Sequence, residues 1–220
     1  MSRWMQENSW QDMEKLIKES KGVAIIPVGS TEQHGYHLPL GTDTYVAITL
    51  AKAAAKETKV ILAPPIWFGW SPHHMVLPGT ITIRPEILIE YLYDIIESLT
   101  QHGINKYILI NGHRIVNIIW MQLAAEKAQR KLGVKVKIFD PAYMSKDIVK
   151  ELGFGPVGHA EEIETSHMLY CYNELVNMEK AKDNPIKPED LYSVDPSYPN
   201  DTLCYVPSTM EVAKEHAKKA

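Results

Sequence analysis

Apolar and polar positions along this chain fall into two alternating rhythms. Unbroken apolar runs at 23–28, 60–63 and 107–110 read as buried strands, since a strand covered on both faces shows no polar alternation, and 134–139, V-K-V-K-I-F, reads as a fourth strand. Between them, apolar residues recur at the roughly three-to-four-residue spacing of helices with one buried face. Helices are expected at 10–20, 45–57, 85–102 and 117–131, with a short one at 145–152 and another at 160–173. Punctuation supports these boundaries. Ser9 can cap the first helix and Gly22 closes it; Pro85 opens the third and Gly103 ends it, the usual order of proline first and glycine last. Met13, Leu88, Tyr91 and Ile95 have core spacing.

Strand and helix alternate throughout, which implies right-handed crossovers. The expected fold class is α/β, a mostly parallel sheet flanked by helices on both faces. Residues 1–183 are expected to form a single α/β domain. Residues 184–220 are expected to form a proline-rich arm, a surface strap or a contact with a neighbouring subunit, ending in a short helix that Ser208 and Glu211 would cap.

In an open parallel sheet, ligands sit beyond the carboxyl ends of the strands. Those exits carry most of the nine histidines: His34 and His37 after the first strand, His73 and His74 after the second, His113 after the third. His159 lies in a later loop; the others are His102, His167 and His216. The first exit, 29–43, reads G-S-T-E-Q-H-G-Y-H-L-P-L-G-T-D. Its glycines and Pro39 forbid regular structure. Glu32, His34, His37 and Asp43 offer carboxylate and imidazole ligands for a divalent cation such as Zn or Mn. The plainer reading is a polar loop in which Thr42 or Asp43 caps the next helix. The long connection 64–80 is of the length that usually carries function; its Trp67 and Trp70 could form part of a lid or pack as ordinary aromatics. His37, His74, Asn111 and Trp70 could line the pocket or support the ligands.

Composition narrows the classes. The chain has 220 residues, 45% hydrophobic and 23% charged, with a formal charge of -4, enough for one domain with a sizeable core. No basic surplus points to nucleic acid. No apolar stretch suggests an export signal or a membrane span. Cys171 and Cys204 show no C-x-x-C spacing, so a reduced, cytoplasmic setting is expected. Gly153, Gly155 and Gly158 spell G-x-G-x-x-G, but they follow a helix and enclose Pro156. The strand–turn–helix context of a dinucleotide site is missing, and a nucleotide-binding regulatory role is set aside.

Four segments together resemble the creatininase, or creatinine amidohydrolase, family: P-V-G-S-T-E-Q-H-G-Y-H-L-P-L-G-T-D, G-W-S-P-H-H-M-V-L-P-G-T, N-G-H and H-A-E-E-I-E-T-S, spanning roughly 20–175. The resemblance implies a layered α/β fold, one or two divalent metals (Zn, Mn or Fe), hydrolysis of small amide or cyclic substrates, and a homo-oligomer. By position it marks Glu32, His34, Asp43 and His113 as metal ligands, with Asp43 bridging. It marks His159 as proton shuttle, Glu164 as an acid at the site, and Ser71 and His73 as pocket wall. Two departures stand out. Ile115 occupies the position of a metal-binding acid, and Gly155 and Pro156 replace a Trp-Asp pair that encloses creatinine. Creatinine is therefore not the expected substrate, and Glu164 is a candidate for the missing oxygen ligand. Arg114, beside His113, reads either as a contact to an anionic or oxygen-rich substrate or as a solvated cation.

The expected chemistry is metal-assisted addition of water to a carbonyl, with His159 delivering a proton to the leaving atom and Glu164 orienting His159 or taking the water's proton. The bond broken is a C–N bond in an amide or lactam, or a C–C bond in a cyclic polyketone such as an oxidised inositol. A non-catalytic metal-binding scaffold is the reading from a different class.

Overall fold

The computed structural model describes residues 1–114, 116–141, 150–151, 153 and 158–182. Four parallel strands, β1 (Val23–Val28), β2 (Ile61–Leu62), β3 (Lys106–Asn111) and β4 (Lys135–Phe139), lie in the order β2-β1-β3-β4. Register runs from Val23 opposite Lys106 to Val28 opposite Asn111, and from Lys106 opposite Lys135 to Ile110 opposite Phe139. Successive crossovers leave β1 toward one edge and β3 toward the other. The sheet therefore opens a crevice past the carboxyl ends of β1 and β3, where strand order reverses.

β2 is two residues shorter than expected. Pro64 and Pro65 follow at once and cannot donate to a ladder. Pro27 is tolerated in the central strand for a related reason. Its carbonyl accepts from Ile66, past the end of β2 at Leu62, so its missing N–H falls where that ladder has stopped.

The helices α1 (Trp10–Glu19), α2 (Thr42–Thr58), α3 (Pro85–Gln101), α4 (Val116–Leu132) and α5 (Glu162–Cys171) cover both faces. Ala24, Ile26, Val28, Tyr107 and Leu109 meet α1, α3 and α4, while Ile25 and Ile110 meet Ala47, Ala51 and Ala55 of α2. α5 packs on α2 through Leu38, Val46, Ala160 and Met168. Ser9 caps α1 by accepting from Asp12, as its position predicts. Leu88 is buried, and Met13 and Ile95 pack on the core, but Tyr91 is 51% exposed. The buried stripe of α3 is Leu88, Leu92, Ile96 and Leu99, and residue 91 lies one step, about 100°, around the helix from it. Among the described residues, no helix is long and apolar enough to cross a membrane. The expected helix at 145–152, the arm and final helix at 184–220, Ile115, and the Gly155–Pro156 pair lie outside the described residues.

α2 begins at Thr42, so Asp43 sits in its first turn instead of in the loop. Neither residue caps. Gly41 holds the cap position without a side-chain bond, and Thr42 Oγ1 donates to Pro39. Tertiary contact brings the turn here. A methyl added at Gly29 would lie 2.2 Å from Thr44 Oγ1, and one at Gly112 would lie 1.9 Å from the Asp43 carbonyl oxygen. The start of α2 is thus wedged against the ends of β1 and β3. Backbone cannot swing aside as a flexible side chain can. Gly112→Ala is expected to cost about 1–3 kcal/mol or more, read as a lower thermal midpoint, and to weaken Zn2+ uptake by displacing Asp43. An unchanged midpoint with unchanged uptake would contradict this close approach.

Candidate metal centre

The crevice gathers side chains from four places in the chain. Glu32 and His34 come from the loop after β1, Asp43 from the first turn of α2, His113 from the exit of β3, and His159 with Glu164 from the start of α5. Local bonds hold each exit. Glu32 N–H donates to Leu40, and Gln33 N–H to Thr80 Oγ1. Asn111 braces the β3 exit, donating through Nδ2 to the His113 carbonyl and to Asp140 while its Oδ1 accepts from His113 N–H. Asn117 Nδ2 donates to Gly29, and its Oδ1 accepts from Trp120 Nε1, tying α4 to the β1 exit.

Asp43 lies at the middle. Its Oδ1 is 3.1 Å from His34 Nε2 and its Oδ2 is 3.1 Å from His113 Nδ1. Glu32 Oε1 is 3.3 Å from His113 Nδ1, and Glu164 Oε2 is 3.7 Å from His34 Nε2. Ligand atoms of Glu32, Asp43 and His113 lie within 4.8 Å of one another, as do those of His34, His159 and Glu164.

Three of these imidazoles are set by main-chain carbonyls, which only accept. His34 Nδ1 donates to Glu32 at 3.2 Å, His113 Nε2 to Trp70 at 3.3 Å, and His159 Nε2 to Gln33 at 2.6 Å. Each therefore turns its other nitrogen inward, the second-layer arrangement that fixes metal-ligating histidines. His74 is set the opposite way. Gly35 N–H donates to Gln33 Oε1, so Gln33 presents its NH2 to His74 Nδ1 at 2.7 Å. His74 Nε2 then carries the proton facing Glu32 Oε1 at 3.5 Å. His74 thus turns an N–H toward Glu32 at a distance too long for a hydrogen bond, and its ligand atom lies within 4.8 Å of those of Glu32 and His159.

Charge completes the description. Glu32 is 0% exposed, and neither of its oxygens has a hydrogen-bond partner; Asp43 Oδ2 also lacks one. Buried carboxylate oxygens left in this state are costly, and a divalent cation satisfies them. The donor set of imidazole nitrogen and carboxylate oxygen suits Zn, Mn or Fe, so the residues fit a metal. Without one, protons take its place. Burial alone would depress His34 and His113, yet Asp43, Glu164 and Glu32 raise His34 to about 10, and Glu32 and Asp43 raise His113 to about 9. Asp43, despite burial, is driven well below the usual carboxylate range by those two imidazoles. Burial and the charge of His34 lower His159 to about 4, and burial with the charge of His159 lowers His74 to about 3. Glu164 falls to about 2, because Arg114 and His34 outweigh its burial.

The remaining residues expected at the pocket are placed differently. His73 is half-buried, its ring 6.2 Å from Trp70 and 6.1 Å from His74. Ser71 is buried behind the centre, its Oγ 2.7 Å from Ser30 Oγ and 3.4 Å from His113 Nε2. His37 is buried too; its Nε2 is 2.9 Å from Thr165 Oγ1, which pins the first loop to α5. Arg114 is neither solvated nor free, and it pairs with Glu161 and Glu164. Of the tryptophans, Trp67 meets Tyr45 edge-on at 5.7 Å and Trp70 packs on the core. His74 and Glu161 acquire specific roles that spacing alone did not assign. Glu161 caps α5, accepting from Ile163 N–H.

Comparison with known proteins points to one family. The family model described as Creatininase: Creatinine amidohydrolase matches residues 6–216. A 3-dehydro-scyllo-inosose hydrolase of Thermotoga maritima is 37% identical over 172 residues, 74% of this chain and 54% of that protein. The chain thus aligns with only about half the length of that relative. The creatinine amidohydrolase of Pseudomonas putida is 28% identical over 212 residues, 87% of this chain and 81% of that one. A solved mutant creatininase described as the Zn-Zn type superposes with TM-score 0.83 at 25% identity, covering 99% of this chain and 93% of the other.

Because His34 and His113 are raised from 6.5 to about 10 and about 9, both carry protons at neutral pH when no metal is bound. A cation must displace those protons. Zn2+ titration calorimetry in buffers of different ionisation enthalpy is expected to show proton release on loading, with affinity climbing from pH 6 toward pH 9. The metal-free fold follows the same groups. Their contribution is complete below about 6.5 and disappears as pH rises through about 9 to 10. Loading without proton release would contradict these assignments.

Proposed function

This chain belongs to the creatininase, or creatinine amidohydrolase, family, and from that premise we propose that it is a metal-dependent hydrolase adding water to a carbonyl of a small cyclic or amide substrate. The observation that carries the reading is the set of three histidines, each donating one ring N–H to a main-chain carbonyl and aiming the other nitrogen at buried, unpartnered carboxylates. Glu32, Asp43 and His113 would hold one ion; His34, Asp43 and Glu164 would hold a second. The metal, Zn, Mn or Fe, would supply Lewis acidity, lowering the pKa of water from 15.7 to about 7 and polarising the carbonyl.

The protein's own groups handle the protons. His159 is neutral at neutral pH, and its Nδ1 lies 3.7 Å from Glu32 Oε1 with a lone pair available. A cation in the centre has the same sign as protonated His34 and keeps His159 neutral. His159 is therefore suited to accept the proton of the attacking water at Nδ1, and then, charged, to return it to the leaving atom. Ionised Glu164, nearby, stabilises the charged imidazole in between. His73 would meet substrate at the wall, and Ser71 would support His113 from behind.

For the bond broken, C–N cleavage of an amide or lactam follows the family's type. Ring-opening of a cyclic polyketone such as a diketo-inositol is the second reading, favoured by the 37% identity to the inosose hydrolase. A scaffold that merely holds metal would have no use for an available Nδ1 at His159. We further propose a homo-oligomer acting on a small molecule in the cytoplasm, consistent with the family and with the free thiol of Cys171.

Elemental analysis followed by a panel of lactams, amides and cyclic polyketones, with and without chelator, tests the reading. Turnover is expected to vanish on chelation and return with metal. A metal-replete protein inert to both substrate kinds would favour the scaffold. His159→Ala should lower kcat by about 10²–10⁴-fold with metal content unchanged; full activity would remove His159 from the chemistry.

A further inference from the structure

Arg114 follows His113 directly, yet it does not serve the centre as a free cation. Its side chain is 9% exposed. Nη2 donates to Glu161, to Glu164 Oε1 at 2.8 Å and to the Gly158 carbonyl at 3.2 Å. The two oxygens of Glu164 are thereby divided. Oε1 is gripped by the guanidinium, while Oε2 accepts from Ala160 N–H at 2.6 Å and faces His34 Nε2 at 3.7 Å. Glu161 Oε1 pairs with the same Nη2, and Glu161 is itself anchored, its Oε2 accepting from Ile163 N–H at 2.6 Å. Ala160, between them, has a left-handed backbone at φ 51°. For a residue with a Cβ this costs about 1–2 kcal/mol, and the bond from its N–H to Glu164 offsets it.

We propose that Arg114 is a positioning residue that locks the Glu164 carboxylate toward His34, and that substrate recognition does not use its charge. The proposal rests on the metal-centre reading above. Both carboxylates contact Nη2 and offset the charge of this one guanidinium, while its buried Nη1 has no hydrogen-bond partner among the described residues. The substrate is accordingly neutral at its reacting end, a carbonyl compound whose polarity comes from uncharged oxygens or nitrogens.

The test titrates Zn2+ alone into metal-free protein and measures kcat and KM on a neutral carbonyl substrate. Arg114→Met is expected to weaken Zn2+ binding by about 10–100-fold, the effect of losing an outer-layer partner, and to lower kcat while KM stays within about twofold. Arg114→Met combined with Glu164→Gln should bind Zn2+ no worse than Glu164→Gln alone, because the two act as one unit. Unchanged Zn2+ affinity with a raised KM would make Arg114 a substrate contact and overturn the proposal, as would additive losses in the double variant. A lowered thermal midpoint with unaltered Zn2+ affinity would reduce Arg114 to a structural role and overturn it equally. If Arg114→Met does not fold, Arg114→Gln decides, since a neutral amide keeps polar contact but not the charge that holds Glu164; unchanged Zn2+ affinity there overturns the proposal. Wild-type protein that takes up no Zn2+ would remove the metal-centre reading itself, whereas Zn2+ binding indifferent to Arg114 would remove this inference alone.

Discussion

The site depends on Asp43 being held between two imidazoles, with His34 at 3.1 Å on one oxygen and His113 at 3.1 Å on the other. Those histidines leave neighbouring parallel strands, and Asp43 comes from the helix that starts between them. The arrangement exists because β1 and β3 are adjacent while their crossovers diverge, which leaves room for a helix end. Gly29 and Gly112 admit that end to contact distance. With larger residues there, the same ionisable groups would stand too far apart to share an ion.

Around this centre the protein places few uncompensated charges. Arg114 meets two acids, and Asp43 meets two histidines. Among the described residues, Glu32 alone is buried with both carboxylate oxygens lacking a hydrogen bond. Buried carboxylate oxygens left so are expensive, so the site carries a demand that a divalent cation meets. The imidazoles respond in the same terms. His34 and His113, held against Asp43, are pulled up, whereas burial and the charges of neighbouring imidazoles push His159 and His74 down. His159 and His74 stack at 4.2 Å, and both stay neutral. One centre therefore provides cation-binding groups and a neutral base side by side, which hydrolysis at neutral pH requires.

The pocket wall follows from the same economy of charge. The ring of His73 stands among Trp70 and His74, while Ser71 and Ser30 bond to each other. His37 holds Thr165 of α5. Ser71 and His37 are thus engaged inside the fold, and the half-buried ring of His73 is the part of this set that a substrate would meet.

Much of this was already written in the order of residues. Apolar runs marked β1, β2 and β3, because a doubly covered strand carries little that is polar, while β4 alternates lysine with apolar residues; β1 lies where its run does. The crowding of His34, His113 and His159 at strand exits and loops pointed to the residues that meet in the crevice, since chemistry-bearing side chains collect where a parallel sheet ends. Local pattern could not show contacts between distant segments. It placed Asp43 in a loop, because Thr42 and Asp43 are weak helix formers, and only the wedge between Gly29 and Gly112 starts α2 there. It left His74 between lining the pocket and supporting the ligands, because its tautomer is set by Gln33, 41 residues away. It left Arg114 between solvent and substrate, because the two acids that claim it lie 47 and 50 residues further on. Residue types and their periodicity were set by the chain itself; which nitrogen faces inward and which charge is neutralised were decided by packing between remote segments, where hydrogen bonding and burial act over distances that spacing cannot encode.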